Sequence, residues 1–315
     1  MTCAYLNGIE AKRKARRRND ARPREREITV VFIEKSLMKR LQLYELEDQV
    51  WLPAEVRDDV TDYLRTISSW LRVYEVILPL IDELLQVTGE HQILDLCSGG
   101  GGPWPRLSGR IRGLSPIRVL LTDKFPNLTA FSRALDQSGG QVRFLQDPLD
   151  ATAVPPVLDG VRTLFSSFHH FRPAQARKIL EDAIAGGRGI AVFETTNRSV
   201  LSILLMFAVP FLTFAVTPFI RPFRWKRVVW TYLIPAVPLV AMIDGIVSCL
   251  RTYTPSDLRT LVDGLPAGDG YRWEIGEKRA CLGLLPVIYL VGFPCLRPSR
   301  GTASVRAKSS DHNKC

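Results

Sequence analysis

A short apolar run followed by four consecutive glycines is the feature that most constrains the fold. Residues Gln92–Cys97 are predicted to form a buried strand, and Ser98 and the glycines 99–102 follow at once. Glycine lets the backbone turn sharply and approach a ligand closely before a helix begins. The turn lacks the third glycine of a dinucleotide fingerprint and the Gly-Lys-Ser/Thr of a phosphate-binding loop. A flexible glycine loop is the alternative interpretation.

Further strand patterns follow the glycine turn, with helical patterns between them. The predicted strands are Arg118–Leu121, Val142–Leu145, Arg162–Ser166, Gly189–Phe193, Tyr271–Ile275 and Val287–Val291. The clearest intervening helix is Pro173–Ala185, and the last two strands are expected to form a hairpin. Strands that alternate with helices indicate an α/β fold in which a mainly parallel sheet carries helices on both faces.

Two helices are predicted before the glycine turn. The first covers Pro53–Thr66 and the second covers Leu71–Val87, where apolar residues recur at three- and four-residue spacing. Pro79 lies inside the second pattern and is expected to kink it. Near the end of the chain, Thr254 is expected to cap a further helix that begins at Pro255.

Chemically informative residues follow the predicted strands in a regular order. They are Asp95, Asp123, Asp150-Ala151, the paired-histidine stretch Leu164–Phe171 and Gly186-Gly187. Together with the glycine turn, this order resembles the motifs of class I S-adenosylmethionine-dependent methyltransferases. The resemblance covers about residues 90–197 and 252–293.

The resemblance implies a Rossmann-like, seven-stranded sheet and S-adenosylmethionine as the cofactor. In that family the acid closing the second strand binds the ribose hydroxyls, and an acid-small pair after the third strand meets the adenine. The implied cofactor-binding residues are Asp95, Cys97, Gly99, Gly101, Asp123, Asp150, Ala151 and Ser166. A carboxylate that accepts two vicinal hydroxyls forms a charge-assisted, geometrically specific contact.

Candidate bases follow the fourth and fifth strands, at the edge where ligands of such folds bind. His169 and His170 follow the fourth strand, and imidazole is suited to accept a proton near neutral pH. Glu194 ends the fifth strand and is a further candidate. The alternative is structural: the histidines hydrogen-bond their loop, and Glu194 caps an element or pairs with Arg198. The six cysteines and four histidines show no zinc-ligand spacing, so no metal is predicted.

Residues 199–243 depart from the alternation of strands and helices. Ser199–Ile220 is an uncharged run of 22 residues, Val228–Ile243 is one of 16, and the basic, aromatic segment Arg221–Arg227 joins them. The first run is long enough for a transmembrane helix, but a spanning hairpin would place the basic segment outside, against the positive-inside tendency. Three interpretations stay open: binding to a membrane surface without crossing, a spanning hairpin, and a soluble lid over an apolar substrate.

The formal net charge of +10 is concentrated at the two ends of the chain. Residues 1–37 carry ten Lys/Arg and five Asp/Glu, residues 297–315 carry five and one, and the remainder is nearly neutral. The basic run Lys12–Arg26 contains no aromatic residue, which favours a solvated tail over an arm that binds RNA or lipid. No nucleic-acid partner is therefore expected. A translation start at Met38, where sequence typical of a folded protein begins, is an alternative to a functional leader.

The predicted organisation has five parts. They are a disordered basic leader (1–37), an N-terminal helical cap (38–88), a methyltransferase domain (89–198 and 244–296), an apolar helical insertion after the fifth strand (199–243) and a disordered basic tail (297–315). The predicted function is methyl transfer from S-adenosylmethionine to a small lipophilic acceptor, by a cytoplasmic domain associated with the cytoplasmic membrane. The alternative is a non-catalytic, membrane-associated scaffold or cofactor sensor on the same fold.

Overall fold

The computed structural model describes residues 38–111, 116–266 and 270–295. Its strands are β1 (Gln92–Leu96), β2 (Arg118–Leu121), β3 (Val142–Phe144), β4 (Val161–Phe165), β5 (Ile190–Glu194), β6 (Tyr271–Ala280) and β7 (Leu285–Pro294). They form one seven-stranded sheet in the order β3-β2-β1-β4-β5-β7-β6. The predicted leader (1–37) and tail (297–315) lie outside the described residues.

Five strands of the sheet are parallel, and the terminal hairpin is antiparallel. β1 pairs in parallel with β2 and β4, and the same sense continues to β3 and β5. β7 runs antiparallel to both β5 and β6. The sheet is therefore mixed, and it contains both the predicted parallel part and the predicted closing hairpin. The strand order reverses between β1 and β4, which is where open α/β sheets form a ligand crevice at the carboxyl ends of the strands.

Helices cover both faces of the sheet. They are α1 (Ala54–Trp70), α2 (Leu78–Thr88), α3 (Trp104–Leu107), α4 (Leu128–Gln137), α5 (Pro173–Ala185), α6 (Val200–Met206), α7 (Val209–Val216), α8 (Trp225–Val228), α9 (Ala236–Arg251) and α10 (Pro255–Asp263). Successive strand residues are buried on opposite faces: Ile93 belongs to the apolar cluster of α2–α4, and Leu94 to that of α5 and α10. The predicted cap of α10 is confirmed, because the Asp257 amide donates to Thr254 Oγ1.

The second predicted helix is divided in two. A 3₁₀ helix covers Val73–Ile77, and α2 then starts at Leu78 with Pro79 in its first turn. Proline has no N–H, so it fits the first turn, where the amide has no partner within the helix. The predicted helix is thus interrupted immediately before Pro79, which lies in the first turn of α2 and not inside one continuous helix.

Helices α6–α9 lie between β5 and α10 in the chain, and part of their surface packs on α1. Val216 of α7 and Val240 of α9 share an apolar cluster with Val56 and Val60 of α1. Apolar residues from 209 to 241 thus provide the contacts that hold this helical region to the N-terminal helix. Whether the region is an insertion into a methyltransferase domain stays a prediction.

The two uncharged runs are each broken by a bend. Within the described residues, no single helix is both long and apolar enough to cross a membrane. Two bent pairs of helices are long and apolar enough for a membrane span only when each pair is taken together. They are Val200–Met206 with Val209–Phe219, bent by 43°, and Trp225–Leu233 with Ala236–Arg251, bent by 71°.

Candidate functional site

The glycine turn lies between α1 and α4 at the carboxyl end of β1. A Cβ on Gly100 would lie 2.9 Å from the Thr61 carbonyl oxygen, and one on Gly101 would lie 3.4 Å from Ala134 Cβ. Gly101 also has a φ of 96°, a conformation that side chains disfavour. The turn is therefore packed on both sides, contrary to the alternative of a flexible glycine loop.

Asp95 holds the glycine turn from the inside. It is 1% exposed, and its carboxylate accepts hydrogen bonds from Ser98 Oγ and Thr163 Oγ1, each at 2.6 Å. Burial raises the pKa of Asp95 to about 6, although these donors act in the opposite direction. Asp95 stands at the turn as the resemblance implies, and its contacts keep the turn in shape.

Asp123 brings the end of β2 against the glycine turn. Its Oδ2 accepts a hydrogen bond from the Gly99 amide at 2.7 Å, and its Oδ1 accepts one from the Phe125 amide at 2.8 Å. Burial raises the pKa of Asp123, while the two amides and the nearby His170 act to lower it. A carboxylate has about four lone-pair positions, so Asp123 can accept further hydrogen bonds from a ligand.

Asp150 and Ala151 lie at the same edge of the sheet. The Leu149 amide donates to the Asp123 carbonyl oxygen at 2.8 Å, which ties the segment after β3 to the end of β2. Asp150 is exposed, and its Oδ1 accepts hydrogen bonds from the Thr152 amide and hydroxyl, whereas Ala151 is buried. The acids predicted from the order of motifs are thus assembled along the carboxyl ends of β1, β2 and β3.

Two non-glycine residues at this edge have left-handed backbone conformations. Cys97 follows β1 with a φ of 58°, and Ser166 follows β4 with a φ of 44°. Such strain is concentrated at functional sites, because the surrounding structure has to maintain it. Ser166 Oγ shares hydrogen bonds with the Tyr74 hydroxyl at 2.8 Å and with Thr195 Oγ1 at 2.7 Å. These contacts join the ends of β4 and β5.

His169 is held between two carboxylates. It is 2% exposed, with Nδ1 2.7 Å from Glu194 Oε2 and Nε2 3.5 Å from Glu45 Oε1. Burial by itself lowers the pKa of His169, but Glu194 and Glu45 outweigh it and raise the pKa to about 10. In this arrangement His169 is a cation at neutral pH, so it is unsuited to accept a proton there.

His170 is more accessible than His169. Its side chain is 27% exposed, and its Nδ1 lies 2.9 Å from Asp48 Oδ1 and 3.1 Å from Glu45 Oε2. A carboxylate on one ring nitrogen orients an imidazole and fixes its tautomer, which leaves the other nitrogen for a ligand. Of the two histidines predicted as bases, His170 has the more suitable surroundings.

Glu45, Asp48 and Arg251 complete this cluster without any signal in the sequence. Arg251 is 2% exposed, and its Nη1 lies 3.1 Å from Asp48 Oδ2 and 3.4 Å from Glu45 Oε1. Its Nε donates to the His169 carbonyl oxygen at 3.1 Å. Asp48 and His170 are separated by 122 residues along the chain, so no local spacing could reveal their contact.

Glu194 contacts His169 and not Arg198. Its Oε1 accepts a hydrogen bond from the His169 amide at 3.1 Å, in addition to the contact of Oε2 with the ring. Arg198 instead donates to Asp257 Oδ2 at 2.8 Å, at the start of α10. The alternative in which Glu194 pairs with Arg198 is therefore wrong, because Arg198 forms its ion pair with Asp257.

One group of side chains has the composition of a metal site. The donor atoms of Glu45, His169 and His170 lie within 4.8 Å of one another. Arg251 already places a positive charge against Glu45, at 3.4 Å. The sequence predicts no metal because it lacks ligand spacing along the chain, but this group brings together residues from distant segments. The absence of a metal therefore stays a prediction.

A cavity of about 310 Å³ opens beside the glycine turn. Its lining includes Arg65, Arg72, Tyr74, Glu75, Gly102 and Arg106. Three arginines and one glutamate therefore form part of the wall of this cavity.

Solved structures similar to this chain include several methyltransferases. An O-methyltransferase family protein from Burkholderia thailandensis has 16% sequence identity and a TM-score of 0.42, with 74% of this chain and 59% of that chain covered. Human N-acetylserotonin methyltransferase in complex with SAM has 14% identity and a TM-score of 0.38, with 72% and 55% covered. The plantazolicin methyltransferase BpumL in complex with SAH has 13% identity and a TM-score of 0.43, with 75% and 95% covered.

These structural similarities cover only part of the first of these proteins and are not accompanied by a sequence match. The chain spans about three fifths of the length of the Burkholderia protein. No protein-family model matches the sequence, and no curated protein sequence matches it. At TM-scores this low the likeness assigns neither ligand nor reaction, so a functional assignment has to rest on strand order and site geometry.

Proposed function

We propose that this chain binds S-adenosylmethionine at the carboxyl ends of β1–β3 and transfers its methyl group to a small lipophilic acceptor. The observation that carries the proposal is the 2.7 Å hydrogen bond from the Gly99 amide to Asp123 Oδ2. It joins the glycine turn to the acid closing β2, next to the point where the strand order reverses. With Asp150 and Ala151 alongside, this edge suits a nucleoside that has ribose hydroxyls.

The residues of this edge have distinct roles in the proposed reaction. S-adenosylmethionine supplies a methyl group that its sulfonium has already activated, so the protein has to align the acceptor and exclude water. Asp123 accepts hydrogen bonds from the ribose, and Asp95 maintains the turn. His170, oriented by Asp48, accepts a proton from an oxygen or nitrogen acceptor. His169 is a positioning residue, because its contacts with Glu194 and Glu45 fix the loop that carries His170.

The lipophilic character of the acceptor is inferred from the helices after β5. None of the residues of α6 is buried, and its exposed side chains include Leu201, Leu204 and Leu205. Helix α6 packs on α9, α9 packs on α1, and α1 also contacts the glycine turn. The domain is proposed to act in the cytoplasm, where its cofactor is available.

Calorimetry with S-adenosylhomocysteine tests the cofactor site. Asp123→Ala removes the proposed partner of the ribose hydroxyls and should weaken binding by about 1–3 kcal/mol, or roughly 5- to 150-fold. Asp123→Asn keeps one acceptor oxygen and should lose less. Asp136→Ala, at an exposed position of α4, is the matched control and should keep wild-type affinity. Wild-type affinity in Asp123→Ala would remove this residue from the site, and no binding by the unaltered chain would refute the proposal.

Turnover separates an enzyme from a non-catalytic cofactor sensor. The protein is incubated with methyl-labelled S-adenosylmethionine and a total membrane lipid extract, and label is expected in the lipid fraction. His170→Asn should lower the rate about a hundredfold or more without changing affinity for S-adenosylhomocysteine. His91→Asn, at an exposed position before β1, is the matched control. Cofactor binding with no transfer of label to lipid or small-molecule extracts would favour the sensor.

A further inference from the structure

Most of the exposed large hydrophobic side chains lie in one segment of the chain. Of the 28 in the described residues, 16 fall between Val200 and Ile243. We call these 16 side chains the apolar surface. Monomeric soluble proteins rarely expose contiguous apolar patches larger than a few hundred Å² without a binding role. The concentration of such side chains in one segment is typical of a surface that binds a partner.

Contacts between the helices join the apolar surface into one unit. α9 packs against both α6 and α7. The Tyr232 ring lies 5.6 Å from the Phe214 ring, and its hydroxyl donates to the Phe214 carbonyl oxygen. Phe219 lies 6.2 Å from the ring of Trp70, itself an exposed residue of α1. Because the other sides of α7 and α9 pack on α1, the apolar surface is the part left uncovered in the described residues.

The segment that joins the two uncharged runs is basic. Residues 199–243 contain four basic residues and no acidic residue. Arg227 is buried in ion pairs with α1, but Arg221 and Lys226 are exposed; Lys226 is exposed to 73% of its side chain and pairs at 2.7 Å with Glu55, which is itself exposed. Phe223 and Trp225 lie among them and are 51% and 74% exposed. Tryptophan together with basic side chains beside an apolar face is typical of a membrane–water interface.

The basic segment is fixed to the rest of the protein. Arg133 of α4 donates to the Arg221 carbonyl oxygen at 2.8 Å, and Arg227 Nε donates to Asp59 Oδ1 of α1 at 2.9 Å. A spanning hairpin would carry this segment to the opposite side of the bilayer and break both contacts. The described geometry therefore favours insertion from one side.

We propose that the apolar surface inserts into one leaflet of a membrane containing anionic phospholipid, with Arg221 and Lys226 at the level of the headgroup phosphates. The apolar side chains supply most of the binding free energy, and each exposed basic residue adds an electrostatic contribution that salt screens. The proposal concerns attachment alone and stands independently of methyl transfer.

Co-sedimentation of the full-length protein with lipid vesicles tests the proposal. Binding is expected to phosphatidylcholine vesicles with added phosphatidylglycerol, and more weakly to phosphatidylcholine alone. The double variant L204E/F211E should bind at least about tenfold more weakly to both, because two apolar side chains that enter the lipid are replaced by charged ones. The matched control Leu282→Glu, at a fully exposed leucine between β6 and β7, should bind like the wild type.

A second pair of variants separates charge from insertion. Lys226→Gln should weaken binding about fivefold on anionic vesicles at low salt and leave binding to neutral vesicles unchanged. Circular dichroism of each variant establishes that it is folded. Recovery of the wild-type protein in the supernatant with both kinds of vesicle would overturn the proposal. So would concentration-dependent self-association that L204E/F211E abolishes, since the partner would then be a second copy. Failure to bind S-adenosylhomocysteine would leave it intact.

Discussion

Replacing Arg227 by methionine should destabilise the protein far more than the same replacement of its neighbour Lys226. Arg227 is 2% exposed and contacts Asp59 and Asp62 of α1, which are 2% and 0% exposed. Lys226 forms an ion pair with Glu55, but both side chains are largely exposed to solvent. The two variants remove the same charge at adjacent positions and differ in the burial of the contacts.

The magnitude follows from the charges that Arg227→Met leaves behind. Breaking a buried ion pair by removing one partner typically costs about 3–5 kcal/mol. Asp62 keeps Arg133 at 2.7 Å, whereas the partner that Asp59 keeps among the described residues is Arg224, at 3.9 Å. Because one of the two carboxylates retains a close partner, we expect a loss at the lower end, about 3 kcal/mol. Exposed ion pairs contribute little, so Lys226→Met should leave the unfolding midpoint unchanged within error.

Urea unfolding followed by circular dichroism measures this difference. Burial already raises the pKa of Asp59 although Arg227 opposes that effect, so the pKa should rise further in Arg227→Met. A carboxylate whose folded pKa exceeds the unfolded value destabilises the fold increasingly as pH rises from the unfolded pKa towards the folded pKa. The deficit of Arg227→Met should therefore be largest at neutral pH and shrink as pH falls. Equal midpoints for the two variants, or a deficit independent of pH, would refute the reasoning.

Two further predictions concern the site. Glu194 and Glu45 should raise the pKa of His169 from 6.5 to about 10. The contribution of the His169 cation to stability is then complete below pH 6.5 and is lost as pH rises through 10. An NMR titration of the imidazole measures this pKa, and a titration midpoint near 6.5 would contradict the prediction. Gly100→Ala should destabilise the fold by about 1–3 kcal/mol and weaken S-adenosylhomocysteine binding, because the new Cβ meets the Thr61 carbonyl. Gly109→Ala, which meets no atom within 4 Å, is the control, and equal melting temperatures would show that α1 does not constrain the turn.

The sequence predicts the proposed cofactor-binding edge at the carboxyl ends of β1–β3, here called the cofactor edge, because its residues directly follow strands in the sequence. Asp123 stands at the end of β2, and the alternation of elements already requires that end to lie beside the end of β1. The strands therefore determine which acids meet the glycine turn. The apolar surface is likewise visible as two uncharged runs.

The histidine cluster could not be predicted in the same way. Glu45 and Asp48 belong to a segment without regular secondary structure, and Arg251 is the last residue of α9. Each reaches His169 or His170 through tertiary packing and not through spacing along the chain. Two candidate bases adjacent in sequence thus differ in burial and in the carboxylates that contact them, and only the folded structure shows this difference.

Helix α1 links the cofactor edge to the apolar surface. The carbonyl of Thr61 limits the space at Gly100 of the turn, while Asp59 and Asp62, three residues apart and hence on one side of the helix, hold Arg227 of the basic segment. A shift of α1 would therefore change both the packing at Gly100 and the ion pairs of Arg227. Neither contact can adapt to such a shift without a loss of folding free energy, because the first is a close steric contact and the second is buried. If the apolar surface binds a membrane, α1 is the element through which attachment and cofactor binding would influence each other.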